Sequence, residues 1–148
     1  MKKLILFLVF IVAGQVQSQI VEPVKWTSSV KKISSTEYEL IATATIQKGW
    51  HLYSQSAPKD GPVATSFTFE GNGSYLKKGN TSEDKGHTVQ DPIFNMQIKY
   101  FENKASFKQR IKLKLKTGFK INATVEFMVC DNTRCLPPTE ENLVFNVK

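Results

Sequence analysis

Glu37-Tyr38-Glu39-Leu40-Ile41-Ala42-Thr43-Ala44-Thr45-Ile46-Gln47 is the stretch that decides the fold class. Tyr38, Leu40, Ala42, Ala44 and Ile46 share one parity, and Glu37, Glu39, Ile41, Thr43 and Thr45 share the other. Side chains of an extended chain alternate between two faces, so this period of two predicts a half-buried strand. The same rhythm recurs downstream. Residues 107–116 offer Phe107, Ile111, Leu113 and Leu115 as an inward row. Ile121, Ala123, Val125, Phe127 and Val129 form a third row, and Leu143, Phe145 and Val147 a fourth. Shorter strands are expected at residues 30–33, 50–53, 63–69 and 98–101. Turn-forming runs punctuate them: Gln47-Lys48-Gly49, Pro58-Lys59-Asp60-Gly61-Pro62, Glu70-Gly71-Asn72-Gly73-Ser74 and Thr117-Gly118. No window shows a helical period near 3.6. Seven or eight short strands so spaced predict an all-β chain, an immunoglobulin-like antiparallel β-sandwich. Residues 77–95 fit the rhythm poorly and read as a long irregular segment. Within it Asp91-Pro92-Ile93-Phe94-Asn95-Met96 reads as a surface loop carrying one large aromatic, Phe94.

The N-terminus has the layout of a secretory signal peptide: basic Met1-Lys2-Lys3, an apolar run over residues 4–13, then a polar stretch. The apolar run is about half the length that spans a bilayer as a helix. Val16-Gln17-Ser18 suits signal peptidase, so residues 1–18 are expected to be removed, leaving residues 19–148 as a single domain. Losing Lys2 and Lys3 lowers the formal charge from +7 to +5. The remaining lysines are spread along the chain. Lys112, Lys114 and Lys116 alternate with Ile111, Leu113 and Leu115, as on the solvated face of a strand. No aromatic platform interleaves with them, which argues against nucleic acid as a partner. Beyond residue 18 no apolar stretch approaches membrane-spanning length, so the mature chain is expected to be soluble. Two cysteines are too few for a disulfide scaffold or a cysteine-ligated structural zinc. His51 and His87 lie at no compact ligand spacing from them, so neither a metal nor a small-molecule cofactor is expected.

The chemistry resides in Cys130-Asp131-Asn132-Thr133-Arg134-Cys135. Asp131-Asn132-Thr133 is turn material, and the spacing suits a hairpin that brings the two sulfurs together. Because Val129 points inward, Cys130 is expected to face the other side of its strand. A disulfide here would close a loop of about six residues and contribute roughly 2 kcal/mol, near the low end of the usual range. A core of this size has little need of such a staple, whereas short or exposed disulfides are the more easily reduced ones. Arg134 beside Cys135 favours a thiolate, and Asp131 beside Cys130 opposes one. The residues lean toward a redox-active pair. A non-catalytic exported immunoglobulin-like binding module with a structural turn disulfide is the alternative.

Val129-Cys130-Asp131-Asn132-Thr133-Arg134-Cys135-Leu136-Pro137-Pro138 resembles the active-site segment of the N-terminal periplasmic domain of DsbD, the transmembrane thiol–disulfide interchange protein. Gly49-Trp50-His51-Leu52-Tyr53-Ser54 is similar to that family's early aromatic strand. Asp91-Pro92-Ile93-Phe94, with Tyr100-Phe101 and Phe107 after it, is similar to its cap segment and the following strand. The resemblance implies an immunoglobulin-like domain in the periplasm that passes reducing equivalents through Cys130 and Cys135. Cys135 would form the mixed disulfide with a partner and Cys130 would resolve it. Phe94 would be the cap aromatic and Asp91 the cap carboxylate, with His51 and Tyr53 flanking the site. Implied partners are a membrane-embedded thiol reductase and periplasmic thioredoxin-like or disulfide isomerase proteins, in processes that include cytochrome c biogenesis. The chain departs from the family pattern in two ways. It stops at Lys148 where family polypeptides often continue into the membrane, which suggests a stand-alone domain. Its four-residue spacer between the cysteines is one shorter than in the best-known members.

Overall fold

The structure is a computed structural model that describes residues 21–116 and 118–148; the expected signal peptide lies outside them. The described chain contains eleven strands and no helix: β1 (Val24–Lys32), β2 (Glu37–Ile46), β3 (His51–Tyr53), β4 (Ser66–Phe69), β5 (Tyr75–Glu83), β6 (His87–Asp91), β7 (Met96–Phe101), β8 (Lys104–Leu113), β9 (Phe119–Phe127), β10 (Val129–Cys130) and β11 (Thr139–Val147). All pairings are antiparallel. One layer has the order β1-β2-β8-β5. The other is organised by β9, flanked by β11 and β4. Past Met128 the same run continues as β10, which begins a second ladder, β10-β3-β7-β6. This is the immunoglobulin-like sandwich expected from the alternation.

Each inward row meets its counterpart in register. Tyr38 lies opposite Ile111 and Ala42 opposite Phe107 across β2 and β8. Ile121 faces Phe145, and Ala123 faces Leu143, across β9 and β11. All eight are nearly inaccessible to solvent. The two layers meet around Trp26, whose ring centroid lies 5.6 Å from that of Phe107 and 5.5 Å from that of Phe127. Phe101 meets Phe107 edge-on at 5.5 Å. Such aromatic pairs add to what their burial already contributes. Gly86 shows how close this packing runs. Its backbone is left-handed (φ 61°), and a Cβ there would lie 2.8 Å from both the Phe101 ring and the Tyr100 carbonyl oxygen.

The fold corrects two expectations and assigns one position that the alternation left open. Residues 77–95 are not irregular: they form β5 and β6, joined by a short turn. Both are edge strands, so little of each is buried and the apolar alternation that marks an interior strand is missing. The strand expected over residues 107–116 is β8, which stops at Leu113, and Leu115 is 61% exposed rather than inward. The inward position between Phe107 and Ile111 belongs to a polar residue, Gln109, fully buried. Its amide donates to the carbonyls of Lys78, Gly79 and Arg110, and its oxygen accepts from the Thr81 hydroxyl. Those bonds satisfy the backbone where β5 slips register between Lys78 and Ser82.

Removing the Phe107 ring should cost about 3–5 kcal/mol, the usual price of a buried Phe-to-Ala change, whereas Leu115→Ala should stay within about 0.5 kcal/mol of the parent. Urea unfolding of the two variants checks this contrast.

Candidate functional site

The ladder β10-β3-β7-β6 has two faces. Val129, Leu52 and Phe101 point into the main core. Their sequence neighbours Cys130, Tyr53 and Tyr100 point the other way and, with Ile98, Met96 and Met128, build a second, smaller apolar cluster. Cys130 therefore does turn away from the main core, and it is fully buried in this second one. Cys135 packs against the same cluster but is only partly buried. The two are disulfide-bonded, with Cα atoms 3.9 Å apart, and face each other as an antiparallel bridge.

A tight hairpin carries the pair. Its backbone bonds lie on either side of the cysteines: Asp131 N–H donates to the Arg134 carbonyl and Leu136 N–H to the Val129 carbonyl, both at 2.9 Å. The Asp131 carboxylate completes the turn by accepting from the Thr133 and Arg134 N–H groups at 2.8 Å and from the Thr133 hydroxyl at 2.9 Å. These bonds, the backbone ones first, hold its pKa below the usual carboxylate range. Its charge is thus spent on the turn rather than aimed at Cys130. The Arg134 guanidinium lies over the Trp50 ring, 5.9 Å from the centroid, with Nε 3.5 Å from Asp131.

The segment expected to form a cap is the β6–β7 turn. Asp91 and Met96 are directly opposed across the two strands, so four residues close the hairpin. Asp91 is buried, and its Oδ1 accepts from the N–H groups of Ile93 and Phe94 at 2.9 and 3.1 Å. Its Oδ2 accepts from the Tyr53 hydroxyl at 3.1 Å. Asn95 leaves the turn with φ 52°, a left-handed conformation that Asn tolerates. So fixed, Phe94 packs on the second cluster, as Cys135 does, and meets the Tyr53 ring edge-on at 6.0 Å. The segment expected to be a loop with one aromatic is therefore a short hairpin turn whose aromatic folds back. A cleft of about 120 Å³ separates this turn from the cysteine hairpin, lined by His51, Asp91, Ile93, Tyr100 and Asn132 among others.

His51 is the strand partner of Cys130. Its ring stacks on Tyr100 at 4.3 Å, and its Nε2 lies 3.1 Å from a Glu102 oxygen. Tyr53 is fully buried; burial first, and the Asp91 carboxylate second, push its phenol well above the ordinary range. The structure thus gathers Cys130, Cys135, Phe94, Tyr53, Asp91 and His51 on one side of one sheet. Ile98, Met96, Met128 and Glu102 belong to the same surroundings and were not singled out from the sequence. The parity of Met96, Ile98 and Tyr100 along β7 was the signal available for the first two. Met128 and Glu102 had none, because they lie where strand alternation is interrupted.

The family model for the N-terminal part of the thiol:disulfide interchange protein DsbD matches residues 17–146. The chain belongs to this family. Solved structures agree on the fold. The reduced-form N-terminal domain of DsbD from Neisseria meningitidis superposes with a TM-score of 0.53 at 13% identity, over 82% of this chain and 84% of that one. The N-terminal periplasmic domain of ScsB from Proteus mirabilis gives 0.55 at 17%, over 82% of this chain and 44% of that one. A third, at 0.51 and 12%, covers 80% of each chain and comes from a complex of the N. meningitidis DsbD and PilB N-terminal domains. Comparison with curated protein sequences finds no match. This chain of the DsbD N-terminal family carries its cysteine pair in a hairpin, Cys130 enclosed and Cys135 partly buried.

The Tyr53–Asp91 bond makes a prediction about pH. The folded state holds the Tyr53 proton more tightly than the unfolded chain does. Its stabilisation is therefore complete below about pH 10, the ordinary phenol value, and is lost as pH rises above it. Tyr53→Phe should cost about 1–3 kcal/mol at neutral pH by leaving a buried carboxylate oxygen unpaired, and should flatten the alkaline loss. Urea midpoints measured for both proteins from neutral to strongly alkaline pH test this.

Proposed function

We propose that this chain is a periplasmic thiol–disulfide exchange domain whose active pair is Cys130 and Cys135. The observation that carries the reading is the asymmetry of the pair: Cys130 is wholly enclosed and Cys135 is partly accessible, beside the same small cluster on which Phe94 packs, in a chain of the DsbD N-terminal family. In the reduced domain the Cys135 thiolate attacks one sulfur of a partner disulfide, forming a mixed disulfide and releasing a partner thiolate. The Cys130 thiolate then attacks the Cys135 sulfur. That step frees the second partner thiol and leaves the Cys130–Cys135 disulfide, so two electrons and two protons pass to the partner. The reverse sequence recharges the domain from a reductant.

An ordinary cysteine is only a few per cent thiolate at neutral pH, so the exchange relies on positioning and access. Phe94 is the cap that shields the pair from stray oxidants and thiols. Asp91 and Tyr53 fix that cap, and His51 forms the wall behind Cys130. Arg134, held over Trp50, provides a cation at the rim of the docking surface. Partners of this kind are thioredoxin-like or disulfide isomerase proteins, with a membrane-embedded thiol reductase as the electron source; cytochrome c biogenesis is one destination for the electrons. The expected signal peptide, residues 1–18, would deliver the domain to that compartment.

Trapping experiments assign the roles. Cys130→Ser should accumulate a mixed disulfide through Cys135, and Cys135→Ser should accumulate none; the opposite pattern reverses the assignment. A reduction potential far below −300 mV, with no exchange against partner thiols, would mark an inert structural bond and overturn the proposal. Trimming the cap by Phe94→Ala should speed reduction of the disulfide by a small thiol roughly five-fold, equivalent to about 1 kcal/mol of lost packing. Stopped-flow reduction with dithiothreitol measures it.

A further inference from the structure

The end of the sandwich farthest from the cysteines has a composition that thiol exchange does not use. Two adjoining furrows, of about 510 and 640 Å³, share Lys32, Tyr38 and Lys148. Lys114, Leu115 and Lys116 line the second. No acidic side chain lines either furrow. The nearby carboxylates are already engaged: Glu37 with Lys78, and Glu39 with Arg110 at 3.9 Å. Lys32, Lys114, Lys116 and Lys148 make no ion pair among the described residues. Two large apolar side chains stand at the same end in water, Leu115 at 61% and Ile33 at 41% exposure. The backbone links their segments: Ile33 N–H donates to the Glu37 carbonyl, and Leu113 N–H to the Thr36 carbonyl.

Lysines with no acidic side chain among them, around protruding aliphatic tips, match one kind of surface. We propose that this end of the domain docks on an anionic phospholipid bilayer, with the lysines against lipid phosphates and Leu115 and Ile33 entering the headgroup layer. A free anion would answer the charge but leave both aliphatic tips in water. The lysines also come from three separate segments spread along open furrows, as suits a plane of charge more than one small ion. Near an anionic leaflet each lysine strengthens binding about five-fold, which makes four of them and two apolar contacts a reversible, salt-sensitive anchor. Geometry gives the anchor a consequence. The run from Phe119 through Cys130 spans roughly 35 Å at the usual strand rise, so a docked domain turns its cysteine hairpin toward soluble partners, and recharging by the membrane-embedded reductase takes place when the reversible anchor lets go.

Flotation of the mature chain with vesicles tests this. Binding is expected to vesicles of phosphatidylcholine mixed with phosphatidylglycerol, to be absent with phosphatidylcholine alone, and to disappear at high salt. Lys114→Gln and Lys116→Gln should each weaken binding about five-fold, and Leu115→Ser should weaken it while leaving the salt dependence unchanged. These positions are exposed, so unfolding midpoints and exchange through Cys135 should stay at parent values. No binding to the anionic vesicles, or equal binding to neutral ones, overturns the proposal. Displacement from anionic vesicles by inorganic phosphate at constant ionic strength also overturns it, by assigning the lysines to a free-anion site.

Discussion

Alternation along one strand run places two adjacent residues, Val129 and Cys130, in two different apolar interiors. Val129 belongs to the sandwich core and Cys130 to the smaller cluster on the outer face of the same sheet. Most of what concerns the site follows from that constraint. A cysteine on the inner face would be sealed between layers, beyond reach of any partner. A cysteine on an ordinary outer face would be in water. Here the outer face is itself covered, by Met128, Ile98 and the β6–β7 turn, so Cys130 is dry without belonging to the core that sets global stability. Chemistry at the pair is thereby separated from the packing that holds the fold.

The cover depends on one carboxylate. Asp91 accepts two backbone N–H groups of its own turn with one oxygen and the Tyr53 hydroxyl with the other. The first pair of bonds sets the turn's shape and the third ties it to β3, whose His51 is the cross-strand partner of Cys130. A buried carboxylate is costly unless its oxygens are matched, so this joint is either fully made or strongly disfavoured. That gives the turn a defined closed position, and Phe94 rides on it.

Legibility in the sequence tracked burial. The four strongest strands could be read because their apolar rows face a continuous core, and period two survives only where one face is buried and the other wet. β5 and β6 escaped notice because both are edge strands with little to bury, so polar residues occupy either face. Gln109 broke the rule from the opposite side, a polar residue inside because a slipped register left carbonyls to satisfy. At the site, Cys130's orientation was legible from parity alone, and the hairpin from its turn residues. The convergence of Asp91, Tyr53 and Phe94 was not, since it joins strands distant in sequence; only the family resemblance suggested it. Glu102, the neighbour of His51, comes from just beyond the end of β7, where no periodicity operates.

The hairpin's hydrogen bonds bear on whether the disulfide is a staple. Asp131 N–H to Arg134, Leu136 N–H to Val129 and the Asp131 carboxylate to Thr133 and Arg134 define the turn without reference to sulfur. The main core contacts Leu136 just beyond Cys135, and Pro137-Pro138 stiffens the passage into β11. Opening the S–S bond therefore removes a link that restrains about six residues already restrained twice over, and the entropic term of roughly 2 kcal/mol is an upper bound on what is lost. A structural disulfide is placed where nothing else holds the chain. This one closes a turn whose hydrogen bonds do not pass through sulfur, the arrangement that suits the proposed opening and closing of the pair.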